Sequence, residues 1–286
     1  MRELLGEKEL RALARLRLSW RRPPGEGIGG HLSSRTGYSL EFADFRPYQP
    51  GDDFRLVDWT AYARLRKLLV RVYKREVEAP LYLFLDTSAS MGKGRPVKLG
   101  FAARLAAALS FVAHRSQDRF GLVSFSARIE GELPPKRGKS HLATLFRLLS
   151  TLEARGETDL NTALAQWASR GAEPGICFVL SDFLCEGGWH EGISALLHGR
   201  HAVAMVQVLS PQDLDPGLRG ELELVDVELG KSRRLVASVG ALRLYREALA
   251  AWNEALSSYA LERGIPYFLF SSRTSPVEAC WILLAR

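Results

Sequence analysis

Leu81-Tyr82-Leu83-Phe84-Leu85-Asp86-Thr87-Ser88-Ala89-Ser90-Met91 is an apolar run that stops at one carboxylate and two hydroxyls set at alternate positions. Five apolar residues in a row, with no polar alternation, are the pattern of a strand covered on both faces, as in a parallel sheet lying between helices. Open parallel sheets bind their ligands beyond the carboxyl ends of the strands, so the oxygens of Asp86, Ser88 and Ser90 are expected at the mouth of a crevice. Oxygen donors in such a place suit a hard cation.

Working outward, the text from about Ala79 alternates strand and helix. The strands expected are Leu81–Leu85, Phe120–Ser126, Ile176–Leu180, Ala202–Leu209 and Tyr267–Phe270; the helices are Val97–His114, Ser140–Leu152, Asn161–Ser169, Trp189–Leu197 and Leu242–Leu261. In the last helix Leu242, Tyr245, Leu249, Trp252, Leu256 and Tyr259 alternate spacings of three and four, which lines up one apolar face. Alternation of this kind argues an α/β fold: a mostly parallel sheet flanked by helices on both faces. Leu222–Val227 and Arg234–Val236 flank Glu228–Ser232 and read as an inserted hairpin.

Upstream, Glu3–Trp20 reads as a helix, with Leu10, Leu13 and Leu16 on one side, stopped by Pro23-Pro24-Gly25. Residues 25–78 differ in character. Gly27, Gly29, Gly30 and Gly37 precede Tyr38–Phe42, Pro50-Gly51-Asp52-Asp53 marks a turn, and Leu69–Lys74 has the β-branched and aromatic content of a strand. The division expected is 1–78, a helix plus a smaller β-rich unit packed on the main domain, and 79–286, the α/β domain. The Asp52, Asp53 and Asp58 carboxylates with Arg46, Arg55, Arg64 and Arg71 are read as ion pairs and turn contacts rather than catalytic groups. His31, alone in a glycine-rich loop, has no ligand spacing to another histidine.

Composition narrows the function classes. At 286 residues, 47% hydrophobic and 25% charged, the chain has the make-up of a globular protein with one sizeable core. No stretch reaches the roughly 18–20 apolar residues that span a bilayer, the first thirty residues lack an apolar signal core, and a cytoplasmic location is expected. Cys177, Cys185 and Cys280 are odd in number and contain no C-x-x-C pair, which argues against a disulfide framework or a zinc knuckle. Five of the seven net positive charges fall in residues 1–79, but they are interleaved with acids and carry no nucleic-acid reading motif, so specific nucleic-acid binding is not expected. Gly92-Lys93-Gly94-Arg95 lacks the spacing of a phosphate-binding loop and gives no reason to expect a nucleotide.

Two further segments supply hard oxygens. Gly156-Glu157-Thr158-Asp159-Leu160 leads into a helix, and Val179-Leu180-Ser181-Asp182-Phe183 is another apolar strand that ends in an acid. Together with Asp86, Ser88 and Ser90 they offer a divalent ion two carboxylates and three hydroxyls, some acting through water, with a position left open. Two carboxylates just cancel a divalent charge, and where they act through water the first shell is neutral hydroxyl and water oxygen, so an ion held in this way stays electrophilic and attracts an incoming carboxylate from another molecule. A metal-dependent hydrolase of phosphoesters is the alternative, since an open metal position also polarises a phosphoryl oxygen. The residues around the motif provide no evident nucleophile and base for it.

Asp86-x-Ser88-x-Ser90, Thr158 and Asp182 resemble, position by position, the metal-ion-dependent adhesion site of von Willebrand factor A domains, integrins included. The resemblance covers roughly residues 79–286. It implies a doubly wound, Rossmann-like sheet, a bound Mg2+ (or Mn2+ or Ca2+), and a protein partner that donates an Asp or Glu to the metal. The upstream text Glu41-Phe42, Arg46-Pro47-Tyr48-Gln49-Pro50-Gly51-Asp52-Asp53, Arg55, Asp58-Trp59, Ala63-Arg64, Leu69-Val70-Arg71 and Glu76 resembles a bacterial family of unknown function that carries such a domain. Genes of that family commonly neighbour MoxR-type AAA+ ATPases. The resemblance therefore implies a non-enzymatic, chaperone-like role beside such an ATPase or its client.

Overall fold

The computed structural model describes residues 4–17, 40–75, 79–218, 220–225, 228 and 232–285. Trp20, Pro23–Gly25, the glycine-rich stretch with His31, Tyr38-Ser39 and Glu76 lie outside the described residues. The chain forms two compact units, Glu26–Glu78 and a larger one made of Met1–Gly25 with Ala79–Arg286.

The smaller unit ends at residue 78, where the boundary is expected, but the first 25 residues group with the larger unit rather than with the β-rich one. The first helix, α1 (Glu7–Leu13), is shorter than the Glu3–Trp20 expected and belongs with the larger unit. Leu13 and Leu16 are buried in that unit's core, and the Arg104 guanidinium donates to Glu9 at 2.6 Å and to the Leu4 carbonyl at 2.9 Å. An amphipathic helix this short is held by the face it buries rather than by its own propensity, and the face here is apolar.

In the smaller unit β1 (Leu40–Pro47) pairs antiparallel with β2 (Leu69–Arg75), and α2 (Trp59–Leu65) lies between them in sequence. The Asp58 carboxylate caps α2, accepting from the Thr60 and Ala61 N–H groups at 2.9 and 3.0 Å, and its other oxygen accepts from Arg71 at 3.0 Å. Arg46 pairs with Asp52, whose N–H closes the turn onto the Gln49 carbonyl at 3.0 Å. Both Arg–Asp pairs join residues of this one unit. The β-rich character expected for it amounts, among the described residues, to a single antiparallel pair and a helix.

The larger unit continues as β3 (Leu81–Asp86), α3 (Lys98–Arg115), β4 (Phe120–Phe125), β5 (Ile129–Lys136), α4 (Lys139–Thr151), α5 (Leu160–Ala168), β6 (Ile176–Ser181), α6 (His190–His198), β7 (Ala202–Leu209), α7 (Pro211–Leu214), β8 (Gly220–Val225), β9 (Ser232–Ala237), α8 (Val239–Glu262), β10 (Tyr267–Ser271) and α9 (Pro276–Leu284). Six strands form one sheet in the order β10-β7-β6-β3-β4-β5, parallel except for β5 at the edge. The result is a mixed α/β fold with a mainly parallel central sheet flanked by helices.

Alternate residues of each strand enter two separate cores. Leu81, Leu83 and Leu85 of β3 pack with α1, α3, α4 and α9, whereas Tyr82 and Phe84 pack with α5, α6 and α8. Strands buried on both faces are mostly apolar, which is why β3 and β6 read as apolar runs up to their last residues and β4 is interrupted only by Ser124. The strand order reverses between β3 and β6, and at such a switch point the connections leave in opposite directions and open a crevice. Asp86 and Ser181, the last residues of those two strands, stand at this switch point and are both fully buried.

The sequence reading missed β5 and α9. The β5 segment carries Gly131, Pro134 and Pro135, which argue against a strand, yet prolines are tolerated at a sheet edge, where β5 lies. Among the described residues no helix is long and apolar enough to cross a membrane.

The helix pair α5–α6 is packed so closely that a Cβ on Gly192 would stand 2.7 Å from the Leu160 carbonyl oxygen and 3.0 Å from the Asn161 Cα. Gly192→Ala is therefore expected to destabilise by about 1–3 kcal/mol. Gly100→Ala, in α3 with open space around it, is expected to stabilise by about 0.5–1 kcal/mol. Thermal melts of the two variants check both signs.

Candidate functional site

Three loops meet beyond the carboxyl ends of β3, β4 and β6. Asp86 closes β3 and is fully buried. One of its oxygens accepts the Ser88 N–H at 2.9 Å and the other accepts the Ser181 hydroxyl at 2.5 Å, so the carboxylate is fixed by groups from two adjacent strands. The Ser88 and Ser90 hydroxyls stand 3.1 Å apart. The turn they occupy is stitched to its neighbours: the Thr87 N–H donates to the Phe125 carbonyl at 2.7 Å, and the Ala89 N–H to the Gly156 carbonyl at 2.9 Å. The Arg155 N–H returns to the Thr87 carbonyl at 2.8 Å.

That stitching lays residues 155–158 beside the Asp86 loop. Gly156 has φ +79°, a left-handed conformation that glycine adopts without strain, and Thr158 follows immediately before Asp159, which caps α5 by accepting from the Thr162 N–H at 2.9 Å. The side chain of Thr158 does not point at empty space. Its hydroxyl donates to one oxygen of Glu228 at 2.9 Å, and its N–H donates to the other at 2.9 Å.

The third loop is the most constrained. Ser181 donates to Asp86 while its oxygen accepts the Phe183 N–H at 3.0 Å. Phe183 is fully buried and has φ +55°, a conformation that costs a bulky side chain energy and needs outside support. The support comes from Trp252, which donates to the Phe183 carbonyl at 3.0 Å, and from Gln207, which donates to the Asp182 carbonyl at 3.0 Å. Asp182 is held next to Asp86 as a result.

The electrostatics follow from that placement. Burial first, then the neighbouring Asp182 charge, push the Asp86 carboxyl up to about 7. Asp182 is relieved by Lys98, whose ammonium lies 2.7 Å from it and 3.4 Å from Asp213. Burial pulls the Lys98 ammonium down, but the two carboxylates outweigh it and hold the group above its ordinary value. The Cys185 thiol is pushed up to about 12, mainly by burial and further by Asp182, Asp86 and Glu228, which makes it unreactive and marks those three carboxylates as neighbours of one spot.

The structure thus brings Asp86, Ser88, Ser90 and Asp182 into one polar cluster and sets Thr158 on the adjoining loop. The sequence reading did not find Ser181, Lys98, Asp213 or Glu228. Only Lys98 left a local signal. It opens α3 at a helix terminus whose dipole favours acids, and it is the only charge between Pro96 and Ala103.

The donor set fits a hard divalent cation. Among the described residues there is no group of three or more His, Cys, Asp or Glu arranged to hold a metal, but the five residues here offer oxygen only, from two carboxylates and three hydroxyls. Asp182 and Asp213 share the Lys98 ammonium, and the adjacent Asp86 is raised by burial and by the Asp182 charge, a crowding of acids that a divalent cation would relieve. Asp86, Ser88, Ser90, Thr158 and Asp182 would hold it, and it would supply an electrophilic position for an outside oxygen.

The raised Asp86 value has a direct consequence for the metal-free protein. A carboxyl that binds its proton more tightly when folded adds stability below its unfolded pKa, and this contribution is lost as pH rises toward about 7. Urea unfolding in EDTA is expected to show the wild type losing more stability from pH 5 to pH 8 than Asp86→Asn does. Equal losses would contradict the assignment.

Comparison with known proteins places the chain in a family. Residues 44–255 match the family described as "Protein of unknown function DUF58". Uncharacterized proteins of Mycobacterium tuberculosis and Mycobacterium bovis are 30% identical over 86% of this chain and 78% of their own length. Among solved structures, the conserved hypothetical protein BatB from Bacteroides thetaiotaomicron is similar with TM-score 0.45 and 18% identity, covering 70% of this chain and 94% of that one. An aerotolerance-related membrane protein from Bacteroides fragilis gives TM-score 0.46 and 16% identity over 72% and 96% of the two chains. With most of its length matched to one family model and to relatives at this level of identity, the chain belongs to the DUF58 family of proteins of unknown function.

Proposed function

We propose that this protein is a metal-dependent protein-binding module, in which a Mg2+ ion held by Asp86, Ser88, Ser90, Thr158 and Asp182 accepts a carboxylate from a partner, as in the adhesion site of von Willebrand factor A domains. The observation that carries this reading is the pair Asp86–Asp182, buried side by side at the sheet's switch point with hydroxyls arrayed around it. With the two carboxylates acting through water, the neutral hydroxyl and water ligands leave a divalent ion electrophilic, and an outside carboxylate completes it. The chain's own part is to hold the oxygens rigid through the Ala89–Gly156 and Thr87–Arg155 bonds and to keep Asp182 in place through Gln207.

The partner implied by the family resemblance is a MoxR-type AAA+ ATPase or its client, with the ATPase supplying the nucleotide chemistry. A binding role is favoured over phosphoester hydrolysis by the state of Ser181. Its hydroxyl is bonded to the buried Asp86 carboxylate, but it is fully buried, and its oxygen is taken by the Phe183 N–H. The three cysteines are free and buried, which suits a reducing cytoplasm.

Capture of a MoxR-type ATPase or its client from a matched bacterial lysate is expected in Mg2+, with loss in EDTA and in Asp86→Ala, while circular dichroism shows the fold retained. Capture that is indifferent to both treatments would contradict the proposal. A second expectation concerns the ammonium beside the site. Lys98→Met takes the ammonium from the buried Asp182 and the half-buried Asp213 and is expected to cost about 3–5 kcal/mol in EDTA. Mg2+ should recover more of that loss than it adds to the wild type, measured by urea unfolding; an equal increment in both proteins would argue against a cation between these acids.

A further inference from the structure

Glu228 lies in the connection between β8 and β9, far in sequence from every residue of the oxygen cluster, yet it is the group that Thr158 touches. Both donors of Thr158 are spent on it: the hydroxyl reaches one carboxylate oxygen at 2.9 Å and the backbone N–H the other at 2.9 Å. A two-point grip on one carboxylate, by charge-assisted bonds, fixes its orientation as well as its position. Glu228 is also one of the three acids whose charges act on the Cys185 thiol, beside Asp182 and Asp86.

The spacing is informative. Oxygens at about 2.0–2.1 Å from magnesium stand roughly 2.8–3.0 Å apart along an edge of the octahedron. The Thr158 hydroxyl and the Glu228 oxygen are 2.9 Å apart, a hydrogen-bond length that also equals such an edge, and the Ser88 and Ser90 hydroxyls are slightly wider at 3.1 Å. A hydroxyl uses a lone pair toward a cation and its proton toward a neighbouring acceptor, so the Thr158–Glu228 bond is compatible with both oxygens facing the same ion.

We infer that Glu228 is a built-in occupant of the position a partner's carboxylate would take, so that the resting chain holds its own acid at the site and a partner must displace it. The inference rests on the metal-binding reading given above. Its carrier is suited to displacement: β8 and β9 form a separate two-stranded sheet, paired from Gly220 with Ala237 to Val225 with Ser232 and not joined to the six-stranded sheet. Two strands alone are marginally stable, and the β8–β9 pair shares no ladder with the central sheet among the described residues. The partner chemistry follows as well, since only an acid that binds better than this tethered one can take the position, which selects against free small carboxylates.

The test uses the full chain, with Mn2+ as the metal probe and N-acetylglutamate amide as the carboxylate probe, in wild type, Glu228→Ala and Glu228→Gln. Relaxation enhancement of water protons reads both Mn2+ binding and the waters bound to it, and thermal melts establish that the variants fold. If Glu228 fills the position at least nine-tenths of the time, its removal strengthens binding of the carboxylate probe by about tenfold or more and raises the number of metal-bound waters, Glu228→Gln acting in the same direction. Mn2+ bound equally by all three proteins, with unchanged water number and probe affinity, overturns the role of Glu228 and leaves the metal site standing. Failure of Mn2+ to bind any of the three overturns the metal-binding reading itself, and this inference with it.

Discussion

Two carboxylates at the ends of adjacent buried strands repel one another, and most of the local structure around Asp86 and Asp182 is the means of keeping them together. Asp86 is tied down by the Ser88 N–H and the Ser181 hydroxyl; Asp182 is tied down by the Leu184 N–H, by Lys98 and, through its carbonyl, by Gln207. A fold that buries such a pair raises the energy of its own ionised form, seen in the upward displacement of the Asp86 carboxyl. Structures accept that cost at sites where a cation or a proton is to be held.

The sheet supplies the positions and the loops supply the chemistry. Register pairs Leu85 with Leu180, so the next residues along, Asp86 and Ser181, come together without any adjustment of the loops. The left-handed Phe183 then turns the chain so that Asp182 is kept near Asp86 while the phenyl ring remains in the core with Trp252 above its carbonyl. Lys98 acts from the other direction. Standing at the start of α3, it brings a positive charge into a place where the helix dipole is already positive, an arrangement sustained only because two acids lie within reach. One ammonium shared between two acids neutralises neither fully, and the Asp86 carboxylate is left facing the hydroxyls of its own loop.

Much of this was legible in the sequence, for reasons that can be traced residue by residue. The parallel strands announced themselves because strands covered on both faces are mostly apolar, and Asp86 and Asp182 stood out as the first acids after two such runs. The amphipathic α8 and the hairpin β8–β9 were visible from spacing and turn residues. The edge strand β5 was hidden by its prolines, which matter little where one side of the ladder faces solvent. The partition of α1 was misjudged because adjacency in sequence suggested the smaller unit, whereas its leucines find their apolar surface on α3 and α9. Lys98 and Glu228 were out of reach for a different reason. Their partners lie 84 and 70 residues away, and no periodicity or motif encodes a contact made by tertiary placement alone.

The central claim is that side chains from three loops share one cation, and its most direct test is an anomalous difference map from crystals of the full chain grown or soaked with Mn2+. The account predicts a single strong peak bounded by Asp86, Ser88, Ser90, Thr158 and Asp182, at coordination distances of about 2.1–2.3 Å allowing for the larger ion. A map without density among these side chains at saturating Mn2+, with Lys98 still seated between Asp182 and Asp213, would contradict it.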